Sequence, residues 1–197
     1  MFSGPARPLV AVGMAMAVAL LAPAASRAAG VGCTGSDTLP GQGTEGAARS
    51  ATLCLMNAER SARGLASLRA QPALAAAAGR YAIQMVDERF LAHTSPRGST
   101  VLSRIRATTY LRGAQAWSVG ENIAWGSGTL ATPRAIVQAW MQSPGHRANV
   151  LSPCFRDVGI GITAGVPTHL QDETGTGTYV TDFGRRSARA CRDGAAR

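Results

Sequence analysis

The chain predicts an α+β domain. Apolar residues recur at helical spacing through its first two thirds, and prolines stand where first helical turns should begin. After Val158 the period changes to strict alternation, which supplies a small antiparallel sheet after a run of helices.

From about Thr44 the chain reads as helix, with Leu53, Met56 and Arg60 at helical spacing and Gly64 as the stop. Pro72 opens a second helix whose apolar face is Leu74, Ala78, Tyr81 and Met85, with Asp87, Glu88 and Arg89 as its solvated end. A shorter helix follows Ser99, with Leu102, Ile105 and Tyr110 inward. Thr132 caps and Pro133 starts another, in which Ile136, Val137, Trp140 and Met141 point to the core. Ser143-Pro144-Gly145 ends it, because a residue before proline leaves the helical region. Val158–Thr163 alternates apolar residues with glycine, the pattern of a strand that a helix approaches closely. Thr178–Phe183 is a second strand, with Tyr179 and Val180 on opposite faces. A third is expected around Ser118–Trp125. The polar loop Ala164–Gly177 holds His169, read as a solvated residue, and the tail after Arg185 reads as irregular. Trp117, Trp125 and Trp140 read as core or cleft wall.

Residues 1–28 read as a secretory signal peptide: Arg7 precedes the uncharged apolar run Leu9–Leu21, and small residues follow. That run is too short to span a membrane, so no transmembrane anchor is expected in the mature chain. Residues 29–43 are a Gly/Thr/Ser/Pro-rich stretch read as an extended leader, residues 44–186 form the domain and residues 187–197 a polar tail. Gly30–Gly35 fits a nucleotide-binding glycine pattern but lacks the preceding strand, and that reading fails. Cys33, Cys54, Cys154 and Cys191 are an even set without a Cys-x-x-Cys pair, which with export favours two disulfides. Four cysteines allow three pairings. Joining near neighbours, Cys33–Cys54 and Cys154–Cys191, would fasten both ends of the domain.

All 20 basic residues are arginine and outnumber 11 acidic ones, but they are spread evenly and aromatics make up only 5%. With no nucleic-acid motif, the balance argues against a nucleic-acid partner. A basic exported protein of this kind suits weak association with anionic wall polymer or lipid headgroups.

Three polar residues stand in sharply punctuated turns: His93 in Phe90–Pro96, Glu121 in Val119–Ala124, and His146 in Trp140–Leu151. Histidine is scarce, three in the chain, so two imidazoles and a carboxylate in such settings are a candidate acid–base or metal set. Plain structural roles compete: a helix-end histidine for His93, a loop-fastening acid for Glu121, a first-turn residue for His146. Arg147 and Asn149 are expected to organise the turn through hydrogen bonds.

Gly145-His146-Arg147-Ala148-Asn149-Val150-Leu151, followed by Val158-Gly159-Ile160-Gly161, resembles the histidine motif and trailing strand of the CAP superfamily of cysteine-rich secretory, antigen 5 and pathogenesis-related proteins. Gly120-Glu121-Asn122-Ile123 resembles its Gly-Glu-Asn motif, and His93 falls where the family places its first histidine. Trp140-x-x-Ser143-Pro144-Gly145-His146-Arg147-x-Asn149 has the form of the compact bacterial branch. The resemblance covers roughly Thr44–Arg186. It implies a three-layer α-β-α sandwich with a small central antiparallel sheet, and a cleft of two histidines and two acids able to hold zinc or another divalent ion. His93, His146 and Glu121 match three of the four, with Asn122, Ser143, Arg147 and Asn149 in support. The second acid would fall at Ser143, so the set is incomplete.

Two imidazoles with one carboxylate can hold zinc with an open position and lower the pKa of a bound water. In this family the acid more often fixes an imidazole tautomer. His93 and His146 are therefore the candidate metal ligands, and a divalent metal such as zinc the only cofactor suggested. No Gly-x-Ser-x-Gly or His-Glu-x-x-His occurs. The sequence reads as a secreted, monomeric binding module for a small ligand, lipid or cell-wall component, with a metal-assisted hydrolase of wall or extracellular material as the alternative.

Overall fold

The computed structural model describes residues 32–41, 43–169 and 174–187. The signal segment, Cys191 and the tail from residue 188 lie outside them. Helix α1 spans Glu45–Ser61 and α2 spans Pro72–Asp87. Between them Arg69–Ala70 forms a two-residue strand, β1. Helix α3 is Val101–Arg106, and strand β2 runs through Ala116–Ser127. After a 3-10 turn at Gly128–Ala131 come α4, Pro133–Gln142, and α5, Pro144–Leu151. Strands β3, Asp157–Ala164, and β4, Thr176–Ser187, complete the chain.

The helix starts follow local chemistry. The Gln71 side chain accepts from the amides of Ala73 and Leu74, and the Thr132 hydroxyl from that of Ala135, each just before a first-turn proline. Thr100 and Ser103 form a reciprocal capping box at α3.

The sheet order is β1-β3-β4-β2. The three long strands pair antiparallel and β1 adds a short parallel rung beside β3, leaving β2 as the free edge on the far side. Helices α1, α4 and α5 cover one face. There Leu55, Met56, Ile136, Val137, Trp140 and Val150 pack with Val158, Ile160, Ile162, Tyr179 and Phe183. Helices α2 and α3 cover the other, where Ala78, Tyr81, Ala82 and Met85 meet Ile123 and Val180, and Leu74 and Ala77 meet Ile105 and Tyr110. The result is the α-β-α sandwich.

Alternating glycine in β3 sets the distance between α2 and the sheet. A Cβ at Gly159 would fall 2.0 Å from the Leu74 carbonyl carbon, and one at Gly161 would fall 2.3 Å from that of Ala78. Side chains are thereby excluded from that face of β3, and the helix backbone rests on the strand.

Several expectations need correction. The first described leader residues are not extended: residues 34–37 form a turn, pinned by the Cys33–Cys54 disulfide and by Arg134, which bonds Asp37 at 2.7 Å. A disulfide there forces the chain to double back onto α1. Cys154 is also disulfide-bonded, while Cys191, its expected partner, is outside the described residues. Strand β4 continues past Arg185 to Ser187 because β2 pairs with it along its whole length. Asp87, Glu88 and Arg89 do form an exposed end, but Arg89 also takes a positive φ of 54° there and donates to the carbonyls of Val166 and Thr168. Trp140 is buried, but Trp117 and Trp125 are only half-buried because they lie on the edge strand.

Candidate functional site

The site forms where both helical layers overhang the edge strand β2. Glu121 points toward the α2 face, and its side chain is 1% exposed. One oxygen lies 2.8 Å from His93 Nδ1, in the loop after α2. A carboxylate only accepts, so in the neutral ring Nδ1 carries the hydrogen and Nε2 keeps its lone pair. The His93 side chain is 56% exposed, which leaves that lone pair accessible from solvent.

The second Glu121 oxygen accepts from Arg104 Nη2 at 2.5 Å. The same guanidinium donates to the Ser99 carbonyl at 2.8 Å and to the His93 carbonyl at 3.2 Å, and it lies 3.3 Å above the Tyr81 ring centroid. Tyr81 in turn donates to the Ala92 carbonyl at 2.6 Å. Arg104 thus fixes both the acid and the loop that carries its histidine. Burial pushes the Tyr81 phenol above its ordinary range, so it stays a neutral donor.

The opposite wall comes from α5. Ser143 ends α4 with extended backbone and begins α5 in the same step, which places His146 in the first turn. Two asparagines tie that turn to β2. Asn122, fully buried, donates to the His146 carbonyl at 3.0 Å. Asn149 donates to the Glu121 carbonyl at 3.1 Å and to the Asn122 side chain at 2.9 Å. Gly120 permits the approach, since a Cβ there would meet Phe155 at 2.9 Å and Asn149 at 3.1 Å. Burial first, and then the neighbouring His93, hold the His146 imidazole below its ordinary value, which favours the neutral ring.

His93, Glu121, His146, Asn122 and Asn149 therefore share one locality although up to 56 positions separate them in the chain. Two supporting residues act otherwise than expected. Ser143 works through its backbone, with no side-chain cap bond. The exposed Arg147 side chain makes no hydrogen bond or ion pair among the described residues, and only its amide joins the turn, bonding the Ser143 carbonyl. His169 is exposed in its loop.

Sequence reasoning missed Arg104, Tyr81 and Asp182. Asp182 lies directly opposite Glu121 in the β2–β4 register and is fully buried. It stands two residues after Val180, on the same face of a strand whose period was legible. A carboxylate at a core-facing position was the available signal. Arg104 had none, being one arginine among many.

A groove of about 280 Å³ between α2 and α3 reaches Tyr81 and Arg104 from outside. An apolar groove of about 270 Å³, lined by Leu53, Pro72, Ala75, Val158 and Ile160 with Arg49 beside it, lies at the opposite sheet edge.

The family model for CAP, the cysteine-rich secretory protein family, matches residues 53–168. This chain is a CAP-family protein. Its CAP domain is 36% identical over 107 residues to the protein YkwD of Bacillus subtilis (strain 168), covering 54% of this chain and 39% of YkwD. The chain thus spans well under half the length of that relative. Among solved structures it resembles an extracellular protein containing an SCP domain from Bacillus anthracis, with a TM-score of 0.56 and 25% identity over 75% of this chain and 45% of that one. An outer surface protein from Borrelia burgdorferi shares the fold, with a TM-score of 0.53 and 22% identity over 67% of this chain and 87% of that one.

Proposed function

We propose that this CAP domain is an exported, non-enzymatic binding module. Its cleft between His93 and His146 receives a small ligand, lipid or cell-wall component. Export is supported by the N-terminal signal pattern, by the disulfide, and by the extracellular Bacillus anthracis relative. The observation that carries the reading is the occupancy of Glu121. One oxygen binds His93, the other binds Arg104, and the side chain is closed to solvent. A general base must reach the proton it removes, directly or through one water, and a carboxylate so engaged does not.

On this reading the donor atoms offered to the ligand are the imidazole nitrogens of His93 and His146. Among the described residues no three His, Cys, Asp or Glu side chains are grouped to hold a metal. Two nitrogens suit weak capture of a divalent ion such as zinc rather than a closed or catalytic zinc site, which takes at least three protein ligands. For a ligand, the same cleft offers one hydrogen-bond acceptor on each ring.

The test is paired. Purified protein is assayed for turnover of peptide and wall substrates, and for binding to zinc, lipid vesicles and wall fragments, as wild type, Glu121→Gln and His146→Ala. We expect no turnover, and changed affinity in both variants. Turnover of a defined substrate that both variants lose would establish the hydrolase instead.

A further inference from the structure

We propose that the groove between the end of α3 and the start of β2 binds the phosphate group of a soluble phosphodiester polymer, held by Arg106 and Arg112. The groove shares no lining residue with the His93–His146 cleft, and it binds whether or not that cleft takes a ligand.

Four observations support it. First, the groove holds about 350 Å³ and is lined by Arg106, Thr108, Leu111, Arg112 and Trp117, with no acidic side chain. Second, neither guanidinium has an anion. Arg106 and Arg112 are exposed, and neither side chain makes a hydrogen bond or ion pair among the described residues. Arg63, Arg69, Arg97, Arg104 and Arg134 by contrast each meet a carboxylate. Two like charges on one groove repel, and an anion between them turns that repulsion into attraction. Third, Arg186 adds positive charge to the same corner. It stands directly opposite Trp117 in the β2–β4 register, hence on the same face, and is exposed. The carboxylate on this flank, Asp157, is already engaged by Arg69 at 3.3 Å and by the Tyr110 hydroxyl at 3.0 Å. Fourth, the walls are held in place before any ligand arrives. The loop carrying Arg112 is fastened by the Arg112 amide on the Thr109 carbonyl, the Ala114 amide on the Leu111 carbonyl, and Arg186 Nη2 on the Arg112 carbonyl at 2.9 Å. The Arg106 guanidinium lies 5.5 Å over the Trp117 ring, which orients it. Binding then has few groups to order.

The chemistry of the lining selects phosphate. A guanidinium presents parallel N–H donors that match two oxygens of one phosphate, and two such forks grip a tetrahedral anion from different sides. A carboxylate has oxygens for one fork only. The arginines are the donors, because the Thr108 hydroxyl is spent on the Ile105 carbonyl at 2.7 Å. Leu111 and Trp117, both half-buried, give the groove an apolar side for the carbon groups that link successive phosphates. A bilayer fits less well. Docking on a membrane surface adds apolar side chains that enter the acyl boundary, and the large exposed ones, Leu39, Ile83, Leu91 and Leu130, all lie outside this lining.

The experiment is a nitrogen-15 NMR titration of the full mature protein with inorganic phosphate at constant ionic strength, set against chloride. The reporters are the arginine Nε–H and tryptophan indole resonances. We expect the signals of Arg106, Arg112 and Trp117 to move together and saturate with phosphate, and not with chloride. Arg106→Gln and Arg112→Gln should each weaken the affinity about tenfold, the loss of one charge-assisted hydrogen bond. Arg49→Gln removes the same charge from an exposed arginine at the opposite sheet edge and should change nothing. Poly(glycerol phosphate) should bind through the same residues more tightly than inorganic phosphate. Three outcomes would overturn the proposal: no saturation in the wild type, an equal loss in Arg49→Gln, or a response to phosphatidylglycerol vesicles with none to soluble phosphate. The wild-type titration decides the matter even if a variant folds poorly.

Discussion

Arg104→Met is the perturbation that most directly probes how the site is held. The substitution keeps most of the aliphatic volume over Tyr81 and removes the guanidinium. What is lost is the 2.5 Å bond to Glu121, the 2.8 Å bond to Ser99 and the bonds to the His93 carbonyl at 3.2 Å. Each hydrogen bond from a charged donor is worth about 1.5–3 kcal/mol, and part of that sum is offset because a cation no longer has to be buried. Glu121, 1% exposed, is then left as an uncompensated anion, the case in which breaking a buried pair costs about 3–5 kcal/mol. Urea unfolding at pH 7 should show a loss in that range at an unchanged slope. Glu121→Gln should cost less, about 1–2 kcal/mol, because the amide oxygen still accepts from Arg104. The double variant should be more stable than the sum of the single losses predicts, by about 1–3 kcal/mol. A loss below about 1 kcal/mol for Arg104→Met, or strict additivity, would refute the argument that the buried pair organises the site.

Removing the Cys33–Cys54 bridge, which closes a loop of 21 positions, should cost about 3 kcal/mol on the loop-entropy relation, read as a lowered urea midpoint. Alkylation of unreduced, denatured mature protein should label no cysteine, and one stoichiometric label by intact mass would contradict the two-disulfide reading. Gly161→Ala should destabilise by at least about 2 kcal/mol, because the new carbon would lie 2.3 Å from helix backbone that cannot move aside, and calorimetry will show it. The raised Asp182 value sets a pH dependence. The protonated form is favoured by folding, so its contribution is complete below the ordinary carboxylate value of 3.8 and is lost as pH rises through the raised one. Asp182→Asn should remove that decline, and unchanged stability-against-pH curves would exclude it.

The fold was legible wherever a period or a punctuating residue spoke for it. Pro72 and Pro133 stand at the first turns of α2 and α4, and Gly159 and Gly161 announced the close helix approach that the structure shows. The strand around Ser118–Trp125 is real but longer at both ends, since its limits are set by pairing with β4 and not by its own residues. Strand β1, two residues long, has no periodicity to detect. In the site, the residues inside punctuated turns were visible because turns restrict composition. Arg104 and Asp182 were not singled out, because a helix arginine and a strand acid acquire their meaning from partners distant in the chain. Arg60 shows the same limit. Its helical spacing placed it correctly in line with Met56. Its complete burial depends on the carbonyls of Ala66, Val150, Ser152 and Phe155, which the fold brings to it.

The two imidazoles belong to opposite layers of the sandwich, and β2 is the strand to which the segments carrying both are hydrogen-bonded. His93 is tied to Glu121 from the α2 side, while His146 hangs from Asn122 and Asn149 on the α5 side. Their separation is therefore a difference between two independent packings, measured across the thickness of a single strand. The arrangement works as a caliper with β2 as its pivot. Repacking beneath α5, at Val150 or Phe155, would reset the opening of the jaws while leaving the His93–Glu121–Arg104 arm as it is. On the proposed binding reading, the width of ligand admitted is thus written in the core of the far layer, away from His93 and Glu121.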